Sequence, residues 1–529
     1  HKFELIYYPT TVRADGFKSP YSAVQGIDVQ NMGEDKEAYR FNFIPTNNRD
    51  RDDFTGVIRL GEAFSSSTDT ERREKFPEAI DVDQWMRAFA FQSLIGVADT
   101  YNMGLAHNLV LYTRPSDGRV LAFPWDLDHG FFYTPTANPL GAGGTNLGSF
   151  INMPENRRLF YGHLDDIIKT AFNTTDMAPW IAHLNDLTEN NYDQRFLNYI
   201  ERRGSHVQSD IRRKVRGNFQ ITSNGGNNFE TEMPTITLEG TGGFEVRKVF
   251  NETSGRALNL TWTDLNVWQA EIPLALGENV IVLQAVDFQG NDLGTIFSPG
   301  GDTIKVSHTG TVEAASAHNL IISEIHYHPE GEAEEGEFIE LQNVGPHPID
   351  LAGIRFTRGL SWEQPTDAPS ILQPGALTLL VKNPANFEAF LGSYGESNLD
   401  NSGETLRLVD RAGVLIQELR YNDKLPWPTE SDGSGYSLVY RSGNGTSPYH
   451  WRRSSEVGGS PGAAEFRADR DLSHNPLHIN DLGQLSFRYP TMSDGLLWNL
   501  QASSDLNAWH AVENDLKLIS RIEDEALEE

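Results

Sequence analysis

From Asp81 to Val97 the residues Trp85, Met86, Phe89, Ala90, Ser93, Leu94 and Val97 return every three or four positions, which predicts one buried helix started by Asp81 or Asp83. The pattern then changes. Two short apolar runs, LVLYT and VLAFPW, flank RPSDGR, and an Asp-Gly pair between such runs predicts a β-hairpin. The helical period returns in PENRRLFYGHLDDIIKTAF, where Arg157 and Arg158 are expected on the exposed face. Beyond about residue 220 the chain reads as strands punctuated by Gly, Pro, Asn and Asp.

These patterns divide the chain. Its 529 residues exceed one ordinary core, and three or four domains are expected. Residues 1–220 form the mixed region, 221–234 a Gly/Asn-rich linker, and 235–309 a small β-sandwich. A second linker at 310–319 precedes 320–462, where LIISEIHYHP, EFIELQNV, IDLAGIRF, ALTLLVKN, ETLRLVD and GVLIQELRYN have the regular spacing of a sandwich. Residues 466–529 read as a short β module ending in the acidic tail IEDEALEE.

Charge and composition narrow the functions. A net charge of −31 argues against nucleic acid as a partner and against attraction to anionic membranes. With no cysteine there are neither disulfides nor thiolate sites, and no apolar run is long enough for a membrane span. The chain opens at His1 without an initiator Met or signal peptide and is read as a fragment or processed form.

The candidate chemistry lies in FPWDLDHGFF, where Asp126 and Asp128 stand in an aromatic run without Lys or Arg. Carboxylates buried there would need a cation, a metal or a protonation partner, and a divalent metal is the first idea to test. A hairpin turning at Asp117 and Gly118 brings Asn108 opposite Asp126; Asp128 follows on the same side of an extended chain, and Asp99 arrives from the helix end. Such oxygen donors suit Mg²⁺ and phosphoryl transfer. An EF-type calcium loop is a poorer fit, because Gly130 occupies its fifth position. GAGGTNLG, residues 141–148, lacks the Gly-Lys-Ser/Thr ending of a phosphate loop, and NNRDRDD, residues 47–53, reads as a solvated loop. His326 and His328 alternate on one strand face and are expected to be exposed strand residues rather than zinc ligands.

NMGLAHNLVLYTRPSDGRVLAFPWDLDHGFF resembles the heart of the spore coat protein H (CotH) kinase-like family, over roughly residues 1–220. The resemblance implies an α+β atypical protein-kinase-like fold, Mg (or Mn) and ATP as cofactors, Asp99 as catalytic base, Asn108 as a metal or phosphate ligand, and Asp126 with Asp128 as metal ligands. Asn102 stays open as an alternative to Asn108. No glycine-rich loop followed by a strand lysine precedes this region, so the domain is expected to lack part of its amino-terminal lobe, and an inactive fragment stays open. Ile321–Gly462 resembles the lamin-tail domain, an immunoglobulin-like sandwich, and 235–309 an immunoglobulin-like spacer; both imply recognition or display by all-β domains. The expected protein is an exported bacterial kinase at the cell surface, in the periplasm or outside the cell. It phosphorylates Ser or Thr of an envelope or secreted protein, and its lamin-tail domain takes a protein or glycan ligand. The alternative is a non-catalytic surface or adhesion protein with a metal-stabilised kinase-like scaffold.

Overall fold

The predicted helix forms as Val82–Ile95, and every residue of its expected stripe is buried. Asp81 caps it by accepting the Gln84 N–H at 3.2 Å, and Gly96 ends it in the left-handed region at φ 65°. In the computed structural model, residues 2–5, 28–40, 43–104, 108–141, 146–188, 193–293, 301–331, 334–368, 370–395, 397–441, 445–464, 478–479, 485–486, 501–502 and 510–511 are described. They divide into two compact units, His1–Ile272 with Gly277–Thr309, and Pro273–Leu276 with Gly310–Glu529.

In the first unit the hairpin forms as Leu109–Thr113 and Val120–Pro124. It closes a four-strand antiparallel sheet in the order Phe43–Pro45, Lys2–Leu5, Leu109–Thr113, Val120–Pro124. Its outer edge is sealed by the 82–95 helix: Trp85 Nε1 donates to Val120 O at 2.8 Å, and Gln84 bonds both backbone groups of Ala122. The register differs from expectation. Arg114 and Arg119 close the loop, with Gly118 at φ 69°, so Thr113 pairs with Val120 and Leu109 with Pro124. Continued by one residue, this register sets Asn108 across from Trp125 rather than Asp126.

The helix Pro154–Thr170 corrects a second expectation, because Arg158 is buried. Its guanidinium stacks over the Trp262 ring at 3.2 Å and donates to the carbonyls of Gly242 at 3.2 Å, Gly243 at 2.6 Å and Leu265. Burial pushes its pKa down to about 9. A helical wheel reads this face as polar, whereas it is the surface on which the β-rich stretch that follows packs. Phe288 fills the space beside Gly162, where a Cβ would lie 2.1 Å from the ring. Two strands of the sheets that follow, Gln220–Ile221 and Phe229–Thr231, fall largely within the Gly/Asn-rich stretch expected as a linker.

The second unit is β-rich. Its largest sheet has six strands, in the order Gly392–Ser393, Leu377–Val381, Phe338–Asn343, Leu320–His326, Leu438–Tyr440, Trp451–Arg453. The alternating residues of LIISEIHYHP supply Leu320, Ile322, Ile325 and Tyr327 to its core. His326 is 4% exposed, not a solvent-facing strand residue, and burial pushes its pKa down to about 4. His328 lies beyond the strand, with Nδ1 2.6 Å from Asp432 Oδ1. Of the last module, only the pairs His478–Ile479 with Leu485–Ser486 and Gln501–Ala502 with His510–Ala511 are described; the acidic tail lies outside the described residues.

The described residues hold eight α-helices, all in the first unit, so an α+β unit is followed by a β-rich one. Among them, no helix is long and apolar enough to cross a membrane.

Candidate functional site

The 82–95 helix places its carboxyl end against the segment that follows the hairpin. Phe131 N donates to Ile95 O at 2.6 Å, Phe132 N to Gly96 O at 3.2 Å, and Ala98 N to His129 O at 3.3 Å. The Phe131 ring sits at φ 58° between Phe196 at 4.8 Å and Tyr199 at 5.0 Å. Arg203 adds a staple, donating to Ser93 O and to the carbonyls of Pro135 and Ala137. Asp99 and the DLDHG turn are therefore fixed to one framework, although they are far apart in sequence.

Four sequence-predicted residues meet this framework differently. Asn108, in the left-handed region at φ 55°, donates Nδ2 to Asp99 O at 2.9 Å and to Asp99 Oδ2 at 3.2 Å. Asp99 Oδ1 is shielded from solvent and has no hydrogen-bond partner. Asp99, Asp128 and His129 each offer a ligand atom within 4.8 Å of the others, and among the described residues they form the one such group of three acidic or histidine side chains. Asp126 is not in it. Its backbone is left-handed at φ 52°, which ends the extended alternation that was to put Asp126 and Asp128 on one side.

The desolvation argument that first drew attention to the segment fails locally. Asp126, Asp128 and His129 are exposed, as are Phe123, Trp125, Leu127 and Phe132. The oxygen in need of compensation belongs to Asp99 instead. This is where the donor set fits a divalent cation: a carboxylate with one shielded oxygen that has no donor groups with a second carboxylate and an imidazole. His129 escaped the sequence reading because alternation links i and i+2. In the turn closed by Gly130 N and Leu127 O at 3.0 Å, the neighbours 128 and 129 occupy its two central positions.

Behind the site, Tyr101 donates its hydroxyl to Asp28 Oδ1 at 2.6 Å, and Asn146 N donates to Asp28 Oδ2 at 2.6 Å. Burial raises the pKa of Asp28 and, more strongly, that of Tyr101. This pair anchors the 3-10 turn Tyr101–Met103 that follows Asp99. Asn102, the alternative ligand, is buried, and its side-chain oxygen accepts from Thr100 Oγ1. Residues 142–145 of the glycine-rich stretch, and His107 before Asn108, lie outside the described residues.

The CotH kinase protein family model matches residues 18–236, and the Lamin Tail Domain model matches residues 313–423. No curated protein matches the chain. Among solved structures, SGBP-B of the Bacteroides ovatus mixed-linkage glucan utilization locus, in complex with a mixed-linkage heptasaccharide, is 14% identical at a TM-score of 0.12, covering 36% of this chain and 40% of its own. The fibronectin(III)-like modules of Clostridium thermocellum CbhA are 12% identical at a TM-score of 0.13, covering 38% of this chain and 90% of their own. The chain thus spans about two fifths of the first of these proteins.

Proposed function

From a chain that carries a CotH kinase domain followed by a lamin tail domain, we propose a metal-dependent phosphotransferase of atypical protein-kinase-like fold that acts on Ser or Thr of an envelope or secreted protein. The observation that carries this reading is the group of Asp99, Asp128 and His129, in which one Asp99 oxygen, Oδ1, is shielded and unpartnered and Asn108 donates to the other. ATP would supply the phosphoryl group, and a Mg²⁺ or Mn²⁺ held by these residues would shield its charge.

The residues of this chain then divide the work. Asp99, with Asn108 Nδ2 donating to its Oδ2, would act as the base that orients the acceptor hydroxyl and takes its proton, and with Asp128 it would hold the cation. Asn108 holds that carboxylate in one rotamer. Asp128 provides the second carboxylate, while Asp126, exposed outside the group, is left to contact solvent or substrate. The lamin tail domain, with its immunoglobulin-like sandwich, brings the enzyme to a protein or glycan at the bacterial surface, in the periplasm or outside the cell.

Calorimetric titration with ATP in Mg²⁺ or Mn²⁺ tests the proposal. Binding by the full chain that is lost in Asp99→Asn and Asp128→Asn supports it, and phosphate transfer to a Ser/Thr peptide mixture is then the decisive assay. Metal binding without nucleotide binding points instead to a non-catalytic surface protein with a metal-stabilised scaffold. Absence of both sinks the reading.

A further inference from the structure

We infer that the β-strands of the first unit beyond residue 220 are not a spacer but a buttress, which folds as one cooperative body with the helices Val82–Ile95 and Pro154–Thr170 on which it is clamped. The inference is independent of the proposed chemistry, since no residue of the candidate site enters it.

The contacts that cross the boundary carry it. Arg158, 3% exposed, gives its guanidinium to the carbonyls of Gly242, Gly243 and Leu265 and to the Trp262 ring. The Phe288 ring lies against Gly162, flanked by the His163 ring at 5.0 Å and the Arg247 guanidinium at 5.3 Å. Asp83, in the first turn of its helix, joins both sides: His163 Nε2 lies 2.8 Å and Arg247 2.9 Å from the same oxygen, Oδ1. Asp166 does likewise, accepting from Arg87 at 2.6 Å and from Gln289 Nε2. Phe244 belongs to the apolar core that the helices build, and Leu265 packs against that core.

These contacts are of the wrong kind for a tether. Domains that move on one another meet through modest, rather polar surfaces, whereas here an arginine has left water for carbonyl acceptors and one apolar core runs through the boundary. Gly162 points the same way. Glycine inside a helix is less favourable than alanine because its backbone has more freedom to lose, and the ring supplies the reason for it: a Cβ there would lie 2.1 Å from Phe288. The CotH kinase protein model ends at residue 236, ahead of all these partners, so the folding unit outruns the stretch it matches. The helix whose far end leads to Asp99 is thereby held at its amino end.

Hydrogen exchange on the full chain decides this by the sign of one substitution. In a helix with open space beside it, Gly162→Ala slows exchange, because alanine favours the helix. With the ring docked, it should speed exchange about 10-fold, and by the same factor in helix Pro154–Thr170 and in strands Thr235–Thr241 and Gly277–Val286. In a Phe288→Ala background, Gly162→Ala should slow exchange relative to Phe288→Ala alone, a reversal that general loss of fold cannot produce. Arg247→Gln, a milder break, should speed exchange about 3-fold on both sides. The β-rich second unit is the internal reference. Slower exchange in Gly162→Ala with the ring present, faster exchange that persists without the ring, or faster exchange confined to the strands while the helices keep their protection overturns the inference.

Discussion

A carboxylate pair in the β-rich unit and the acid at the candidate site of the α+β unit are used in opposite ways. In the β-rich unit, Glu324 and Glu340 are cross-strand partners, nearly fully buried, and supplied with donors. Glu324 accepts from Ser437 Oγ, from Ser460 N at 2.9 Å and from Ser460 Oγ at 2.7 Å; Glu340 accepts from Ser323 Oγ at 2.8 Å and Gly462 N at 2.9 Å. In the α+β unit, Asp99 keeps one shielded oxygen without any donor, and its companions Asp128 and His129 stand in the open. The difference teaches where to look for chemistry. A buried acid whose lone pairs are filled by the chain is holding the chain together, whereas a fixed acid with an empty lone pair is available to something else.

That contrast can be broken by substitution. The largest effect on stability is expected for Glu324→Ala, which leaves the buried Ser437 donor and the half-buried Ser460 donors without their acceptor. It should destabilise the β-rich unit by about 3 kcal/mol in urea unfolding, with Mn²⁺ binding untouched. A loss of metal binding in that variant would show that the two sets of carboxylates are not separate.

A comparable but pH-dependent effect is expected at His326. Its folded pKa, about 4, lies below the ordinary 6.5, so the unfolded chain takes up the proton first. Stability is complete above about pH 6.5 and falls by about 3 kcal/mol as the pH drops to 4. The slope in this window should flatten in His326→Leu relative to the parent chain. An unchanged slope would mean that the histidine is not the titrating group.

The smallest effect on stability belongs to the site itself. Asp128→Asn should leave the melting temperature where it was, since an exposed side chain is replaced by one of the same size. It should nevertheless weaken Mn²⁺ binding by at least ~10-fold, because an amide oxygen carries no net charge. A clear fall in melting temperature without metal would place Asp128 among the structural acids and erase the comparison.

Local pattern made much of this molecule legible. The stripe from Trp85 to Val97 gave the central helix, and the two apolar runs around RPSDGR gave the hairpin, because periods of 3.6 and 2 record which face is buried. The order of a stretch that the CotH kinase protein model matches before one that the Lamin Tail Domain model matches was legible as well. Arg158 was misplaced for a physical reason: a helix that packs on two sides can bury a guanidinium when backbone carbonyls and an aromatic ring receive it, and no period announces those partners.

By itself, then, the sequence determined the elements and the short list of acids from which any metal site had to be drawn. The tertiary structure decided which of them meet. Arg114 and Arg119 closed the hairpin loop one pair away from the simplest turn, Asp126 took a left-handed backbone, and the DLDHG turn set His129 beside Asp128 facing Asp99. Register and handedness are settled by hydrogen bonds between distant segments, so a single change in either exchanges one side chain at the site for its neighbour.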